Sequence, residues 1–167
     1  MQHVALSIFD KELCLPFFDR LTELFHEHHH SEEQAPDEYE SLLYRVCRPY
    51  TPEMLDMIDG WMGLEDRAWR AETQREVLLS LYAIRYPDTL LIESLTDKAR
   101  SDIRRLSAYL HFTHHTYSIW DDDTRKGLGK LGIDIPEMKQ ADPFIYGAYV
   151  SSIELLKDVA PFTCFLE

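Results

Sequence analysis

The chain has 167 residues, of which 45% are apolar and 28% charged, and its formal net charge is −13. This length and composition are typical of one folded domain and exclude a disordered chain. No apolar run approaches the ~20 residues that a transmembrane helix needs, so we expect no membrane partner. From the length we expect a single domain, residues 1–167. The first residues lack the basic and apolar regions of a signal peptide, so we expect the protein in the cytoplasm.

The negative charge is concentrated in one part of the sequence. Residues 1–66 carry 15 acidic and 4 basic side chains, whereas residues 67–167 carry 15 and 13. A field of this sign repels phosphate backbones, so we expect no nucleic-acid partner. It attracts cationic surfaces, and a basic protein is therefore the class of partner that the charge favours.

The three cysteines do not predict a disulfide framework. Cys14, Cys47 and Cys164 are widely spaced and odd in number, and no CxxC pair is present. Cys14 and Cys47 lie among apolar residues, where a cysteine is usually a buried, reduced thiol. We therefore expect free thiols rather than cross-links.

The first third of the sequence predicts two helices after a short extended segment. Apolar residues alternate within residues 1–9, as they do in a strand. Asp10 can cap a helix whose apolar stripe continues towards His30. A polar loop follows, Pro36 lies at or near the start of the second helix, and Pro49 ends that helix.

The middle of the sequence predicts two further helices. Thr51 provides an N-cap and Pro52 occupies the first helical position, while Gly60 lies where this third helix ends. Over residues 64–86 the pattern begins charged and becomes apolar on all sides. Such a change is typical of a helix whose last turns lie in the core.

The next part predicts a long helix followed by a loop. Asp88 or Thr89 caps a segment through Leu95, and a long helix then continues to about Trp120. Residues 121–140 contain three glycines and a proline, which favours a loop region with at most one short helix.

The last helix is predicted to begin at Asp142 and Pro143 and to end before Pro161. Helical periodicity recurs through the whole chain, and no internal repeat or linker interrupts it. The sequence therefore predicts an all-α, single-domain bundle of about six or seven helices. The extended N-terminal segment is its one strand-like feature.

Two histidine pairs have the spacing of metal ligands. His26 and His30, and likewise His111 and His115, are four residues apart and would share one helix face. A helical wheel places both pairs on polar faces, whereas a metal in a helical bundle needs ligands that point inward. We therefore predict that the protein binds no metal and no other cofactor.

Two other histidines are predicted to face the core. His28 and His114 fall on the apolar stripes of their helices, where a buried imidazole normally finds a hydrogen-bond partner. If these residues met one another and neighbouring carboxylates, the protein would be a helical enzyme or a metal- or ligand-binding sensor. That function is the alternative to the one preferred below.

Two further patterns lack the context that their chemistry requires. Gly127, Gly129 and Gly132 match the spacing GxGxxG, but the dinucleotide fingerprint works only between a strand and a helix. The run of three aspartates from residue 121 fits neither an EF-hand nor a DDxxD motif, because Arg125 stands where an acid is needed. Turn glycines and capping aspartates account for both patterns.

The preferred function is that of a small inhibitor that covers a basic effector or nuclease toxin, as an immunity protein or antitoxin-like inhibitor does. Size, acidity and the absence of a catalytic motif all favour a binding protein over an enzyme. Two stretches concentrate the acids that would meet the partner. The predicted binding residues are Glu32, Glu33, Asp37, Glu38 and Glu40 in the first stretch and Trp120, Asp121, Asp122 and Asp123 in the second.

Overall fold

The computed structural model describes residues 16, 18, 35–46, 50–64, 67–83, 89–99, 102–138 and 140–160. Within these ranges the chain forms seven α-helices and no strand, so the predicted all-α bundle is confirmed. The helices are α1 Ala35–Arg45, α2 Pro52–Trp61, α3 Ala71–Ala83, α4 Thr89–Ala99, α5 Ile103–Thr113, α6 Asp122–Lys130 and α7 Pro143–Val159. The predicted extended segment, and all but two residues of the predicted first helix, lie outside the described residues.

Three of the helices begin at aspartates whose carboxylates accept free backbone N–H groups of the first turn, and a fourth follows Thr51, whose side chain makes no capping hydrogen bond. Asp142 accepts hydrogen bonds from the N–H groups of the second and third residues of α7, as predicted. Asp102 and Asp121 cap α5 and α6 in the same way. Thr51 stands at the predicted N-cap of α2 in an extended conformation, directly before Pro52.

Two predicted boundaries are wrong. The long helix expected to reach Trp120 is divided, because Asp102 caps a new helix and α5 ends where His114 becomes extended. Over residues 64–86 the helix begins only at Ala71, since Arg67 in the preceding segment leaves the helical path to reach a buried carboxylate. The region after residue 120 contains the nine-residue helix α6, the one short helix that the sequence allowed there.

The helices pack around α4 and α5. Helix α4 contacts α3, α5 and α7, while α5 also contacts α2 and α3, and α1 packs on α2. Aliphatic residues of these helices form one core together with four tyrosines that are almost completely buried. The four are Tyr109, Tyr117, Tyr146 and Tyr149.

The tyrosines of α7 hold the segment that links α5 to α6. Tyr146 donates a hydrogen bond to the carbonyl of Ser118 at 2.9 Å, and Tyr149 donates to the carbonyl of Ile119 at 3.0 Å. Buried carbonyls must find donors, and a tyrosine hydroxyl is the polar end of an otherwise apolar side chain. This pairing explains how residues 118–120 pack against α7 without being helical.

The longest of the described helices is α7, with 17 residues. None of the helices in the described ranges combines the length and the apolar character that crossing a bilayer requires.

Candidate functional site

Helix α1 lies at the surface with one apolar and one polar face. Leu42 and Val46 are buried, whereas Glu40 and Tyr44, one turn apart on the other face, are exposed. The side chain of Tyr44 is 80% exposed. This position presents a large aromatic ring beside a carboxylate at the surface of the protein.

Tyr39 anchors α1 to the core through a chain of hydrogen bonds. Its hydroxyl lies 2.7 Å from Nε2 of His111, and Nδ1 of His111 lies 2.7 Å from the carbonyl oxygen of Tyr117. A carbonyl can only accept, so Nδ1 carries a proton, and in the neutral ring Nε2 then accepts from Tyr39. The Tyr39 ring also contacts Trp61 and Phe112, with ring centres 5.8 and 5.6 Å apart.

The environment of His111 favours the uncharged imidazole. Burial lowers the pKa of His111, and nearby His115 and Lys157 lower it further, against the opposing effect of the Tyr117 carbonyl. Burial also raises the pKa of Tyr39, so its hydroxyl remains a donor. Near neutral pH, α1 is therefore fixed to α5 by two neutral side chains.

The structure changes the assignment of the histidines. The expectation that His111 faces the polar side is wrong, because α5 ends at Thr113 and the returning chain places a carbonyl over the imidazole. His115 is exposed, as expected. His114 is half-buried at the C-cap of α5, with its ring 6.0 Å from that of Tyr117. His28 lies outside the described residues, so the predicted pairing of His28 with His114 stays a prediction.

Helix α2 carries two exposed acids and one buried acid. Glu53 and Asp56 face solvent, whereas Asp59 is only 6% exposed. The carboxylate of Asp59 accepts hydrogen bonds from Arg67 at 2.5 Å, from Nε of Arg105 at 3.0 Å and from the hydroxyl of Tyr109 at 2.6 Å. A buried carboxylate is tolerated when it is paired in this way.

Arg67 connects the buried acid to the surface. Its second guanidinium nitrogen donates to Asp56, whose side chain is 68% exposed, and its guanidinium carbon lies 5.6 Å from the centre of the Trp69 ring. Burial raises the pKa of Tyr109 well above its usual range, and the hydrogen bond to Asp59 adds to this effect. The charges of two carboxylates and two guanidinium groups thus balance around the neutral hydroxyl of Tyr109. The charged groups are those of Asp56, Asp59, Arg67 and Arg105.

The sequence contained a signal for this network that motif searching missed. Leu55, Ile58 and Asp59 follow the spacing of one helix face, so the periodicity that predicts the core places an aspartate within it. A charged residue at a core position implies a buried partner. The identity of that partner could not be predicted, because Arg105 is 46 residues away along the chain.

An open depression of about 310 Å³ lies beside the network. It is lined by Asp56 of α2, by Arg67 and Trp69 of the connecting segment, and by Gln74 of α3. The lining is mostly polar, unlike the apolar clefts that bind most small organic ligands.

The aspartates at the start of α6 are engaged within their own helix. Asp121 caps the helix, Asp122 forms an ion pair with Arg125 at 3.2 Å, and Asp123 forms one with Lys126 at 2.8 Å. The hydrogen bond with Lys126, together with its charge, lowers the pKa of Asp123. These three predicted binding residues are exposed, but their charges are compensated locally.

The prediction that Trp120 binds the partner together with these aspartates is wrong. Its side chain is 3% exposed and its ring centre lies 4.8 Å from that of Tyr149, so it belongs to the core. In the other predicted stretch Glu38 and Glu40 are exposed. Glu32, Glu33 and the side chain of Asp37 lie outside what the structure describes.

The described ranges contain no group of three or more histidine, cysteine or acidic side chains arranged to hold a metal ion. Gly127 and Gly129 lie inside α6, and Gly132 follows it with φ +81°, so this glycine motif does not lie between a strand and a helix. Comparison of the chain with protein-family models, curated proteins and solved structures finds no match. Three features of the structure bear on function: the all-α fold, the exposed acids of α1 and α2, and the buried network around Asp59.

Proposed function

We propose that the protein is a small acidic inhibitor that covers the surface of a basic effector or nuclease toxin in the cytoplasm, as an immunity protein or antitoxin-like inhibitor does. The observation that carries the proposal is Tyr44, 80% exposed on α1 and one turn from exposed Glu40. Exposed tyrosines are enriched among the residues that dominate binding energy at protein interfaces. The neighbouring carboxylates supply the attraction to a cationic partner.

The charge on α1 and α2 supports this proposal. Glu38, Glu40 and Glu53 are exposed and form no ion pair with any residue that the structure describes. Their field is therefore not cancelled locally, in contrast to that of Asp122 and Asp123 on α6. Uncompensated surface charge of one sign acts mainly by accelerating encounter with an oppositely charged surface.

The anchoring of α1 supports the proposal as well. Tyr39 and its hydrogen bond to His111 fix the helix that carries Tyr44. A binding surface that is rigid before the partner arrives loses less conformational entropy when the complex forms.

The bonding of the buried polar groups favours binding over catalysis. Both ring nitrogens of His111 are used within the protein, and Asp59 accepts three hydrogen bonds. A general base needs a nitrogen or oxygen that can reach a substrate proton, and neither residue offers one. The exposed acids and Tyr44 therefore carry the functional proposal.

The test is association with a basic protein encoded by a neighbouring gene, measured by stopped-flow fluorescence across a salt series. The variant E38Q/E40Q/E53Q should slow association about tenfold or more at low salt and flatten the salt dependence. D122N/D123N is the matched control, because its carboxylates are compensated within α6. Equal effects of both variants, or no complex with any such protein, would refute the proposed function.

A further inference from the structure

The depression beside the buried network has a specific electrostatic character. Among its described lining residues the cationic one is Arg67, whose side chain is 6% exposed and whose two terminal nitrogens donate to Asp59 and Asp56. Both terminal nitrogens are thus engaged with carboxylates, which balance the positive charge of Arg67 within the protein.

The accessible groups of the depression are acceptors. Asp56 uses one carboxylate oxygen to bind Arg67, and its other oxygen, Oδ2, has no hydrogen-bond partner among the described residues. Gln74 contributes a half-buried amide, whose carbonyl oxygen can also accept. Trp69 also lines the depression, and its indole, the aromatic group that attracts cations most strongly, lies beside the Arg67 guanidinium. Glu53, three residues before Asp56 on α2, adds exposed negative charge nearby.

We propose that this depression is a subsite for the guanidinium group of an arginine side chain. Asp56 Oδ2 accepts hydrogen bonds from the guanidinium, Gln74 accepts a further one, and the Trp69 ring contacts its plane. A guanidinium suits this lining better than an ammonium does, because it is planar, weakly hydrated and able to stack on an aromatic ring. A volume of about 310 Å³ is at the lower end of the range for ligand pockets and suits one side chain rather than a larger ligand.

The source of the arginine rests on the proposed function, in which a basic protein inserts the side chain as its face meets α1 and α2. The chemistry of the subsite does not rest on it. The subsite can therefore be tested with a small probe and with no partner at all.

The experiment is a titration of the isotopically labelled protein with N-acetyl-L-arginine methylamide, followed by NMR at the indole N–H of Trp69. The Trp69 signal is assigned from the variant W69F. We expect a saturable shift of that signal, with no shift for the indole of the buried Trp120. The citrulline analogue has nearly the same shape without the charge and should produce no shift.

The variant D56N separates the subsite from a general attraction of cations. The amide oxygen that this substitution introduces can still accept from Arg67, so the fold is kept, and unchanged signals elsewhere in the spectrum verify this. The affinity for the arginine probe should fall about tenfold or more, as expected for loss of a charged hydrogen bond. D123N, which removes another exposed aspartate, on α6, should leave that affinity unchanged.

Equal shifts with the citrulline analogue, a non-saturable response, or an affinity that D56N leaves intact would overturn the subsite. The proposed function would survive that result if E38Q/E40Q/E53Q still slowed association with a basic protein. A saturable, D56N-sensitive response with no protein partner found would instead support the subsite and refute the inhibitor.

Discussion

The hydroxyl of Tyr109 on α5 donates a hydrogen bond of 2.6 Å to the carboxylate of Asp59 on α2, although the two residues are 50 positions apart. The same carboxylate accepts from Arg67 and Arg105, so a single buried acid joins α2, the connecting segment and α5. Removing this acid would take away the buried carboxylate that two guanidinium groups share. The first prediction follows from that relationship.

The variant D59A should be strongly destabilised. Breaking a buried ion pair by removing one partner typically costs about 3–5 kcal/mol, mainly because the remaining charge is left uncompensated. Urea denaturation at neutral pH measures the free energy of unfolding. D56N is the control, since Asp56 is largely exposed and its ion pair should contribute at most about 1 kcal/mol. Equal stabilities for D59A and D56N would contradict the buried network.

Ser107 should matter more than other buried serines. Its hydroxyl accepts the backbone N–H of Trp120 at 2.8 Å, a buried contact between residues 13 positions apart. S107A would leave that N–H without a partner and should cost about 1–3 kcal/mol in free energy of unfolding. S152A is the matched control, because buried Ser152 only donates to Ala148 within its own helix. The prediction fails if the two variants are equally stable by chemical denaturation.

Stability should depend on pH through His111. Burial lowers the pKa of His111 below its ordinary value of 6.5, so the unfolded chain binds a proton more readily than the folded protein. The contribution of His111 to stability is complete above about pH 6.5 and decreases as the pH falls towards the folded-state pKa. Unfolding free energies measured between about pH 5 and pH 8 should therefore decline less steeply for H111Q than for the wild type. A slope for H111Q equal to the wild-type slope would exclude His111 as the cause.

Tyr44 should separate binding from folding. Because the side chain is mostly exposed, Y44A should change the free energy of unfolding by at most about 1 kcal/mol. Affinity for the basic partner should fall by about 2 kcal/mol, which corresponds to roughly thirtyfold. Y82A removes another exposed tyrosine, on α3, and should leave affinity unchanged. Isothermal titration calorimetry measures both affinities. Equal losses of affinity in Y44A and Y82A would show that Tyr44 has no specific role in the interface.

Most of the architecture could be predicted from local signals. Periodicity gave the all-α class, and short-range chemistry gave the starts of α2 and α7 at Thr51 and Asp142. Local signals did not show that the long helix expected to reach Trp120 is divided into separate helices. The division depends on Asp102 as a cap and on carbonyls of residues 118 and 119 that find donors in α7. Those donors are 28 and 30 positions away along the chain.

The candidate site was harder to predict than the fold. A wheel built on an uninterrupted helix placed His111 on the polar side, since it could not include the turn that brings Tyr117 back over the imidazole. The wheel gave no warning that Trp120 is buried, for the same reason. The aspartates of α6 could have been interpreted correctly, because Arg125 and Lys126 follow Asp122 and Asp123 at a spacing that allows ion pairs within one helix.

The hydrogen bonds from Tyr146 and Tyr149 to the segment before α6 have a consequence for synthesis of the protein. The donors belong to the last described helix, whereas the carbonyls and the buried ring of Trp120 precede them. A nascent chain that has emerged only as far as α6 therefore lacks the hydroxyl donors for these two carbonyls and the Tyr149 ring that packs on Trp120. The native arrangement of residues 118–120 is completed only after α7 has left the ribosome, so this segment reaches its final packing late in synthesis.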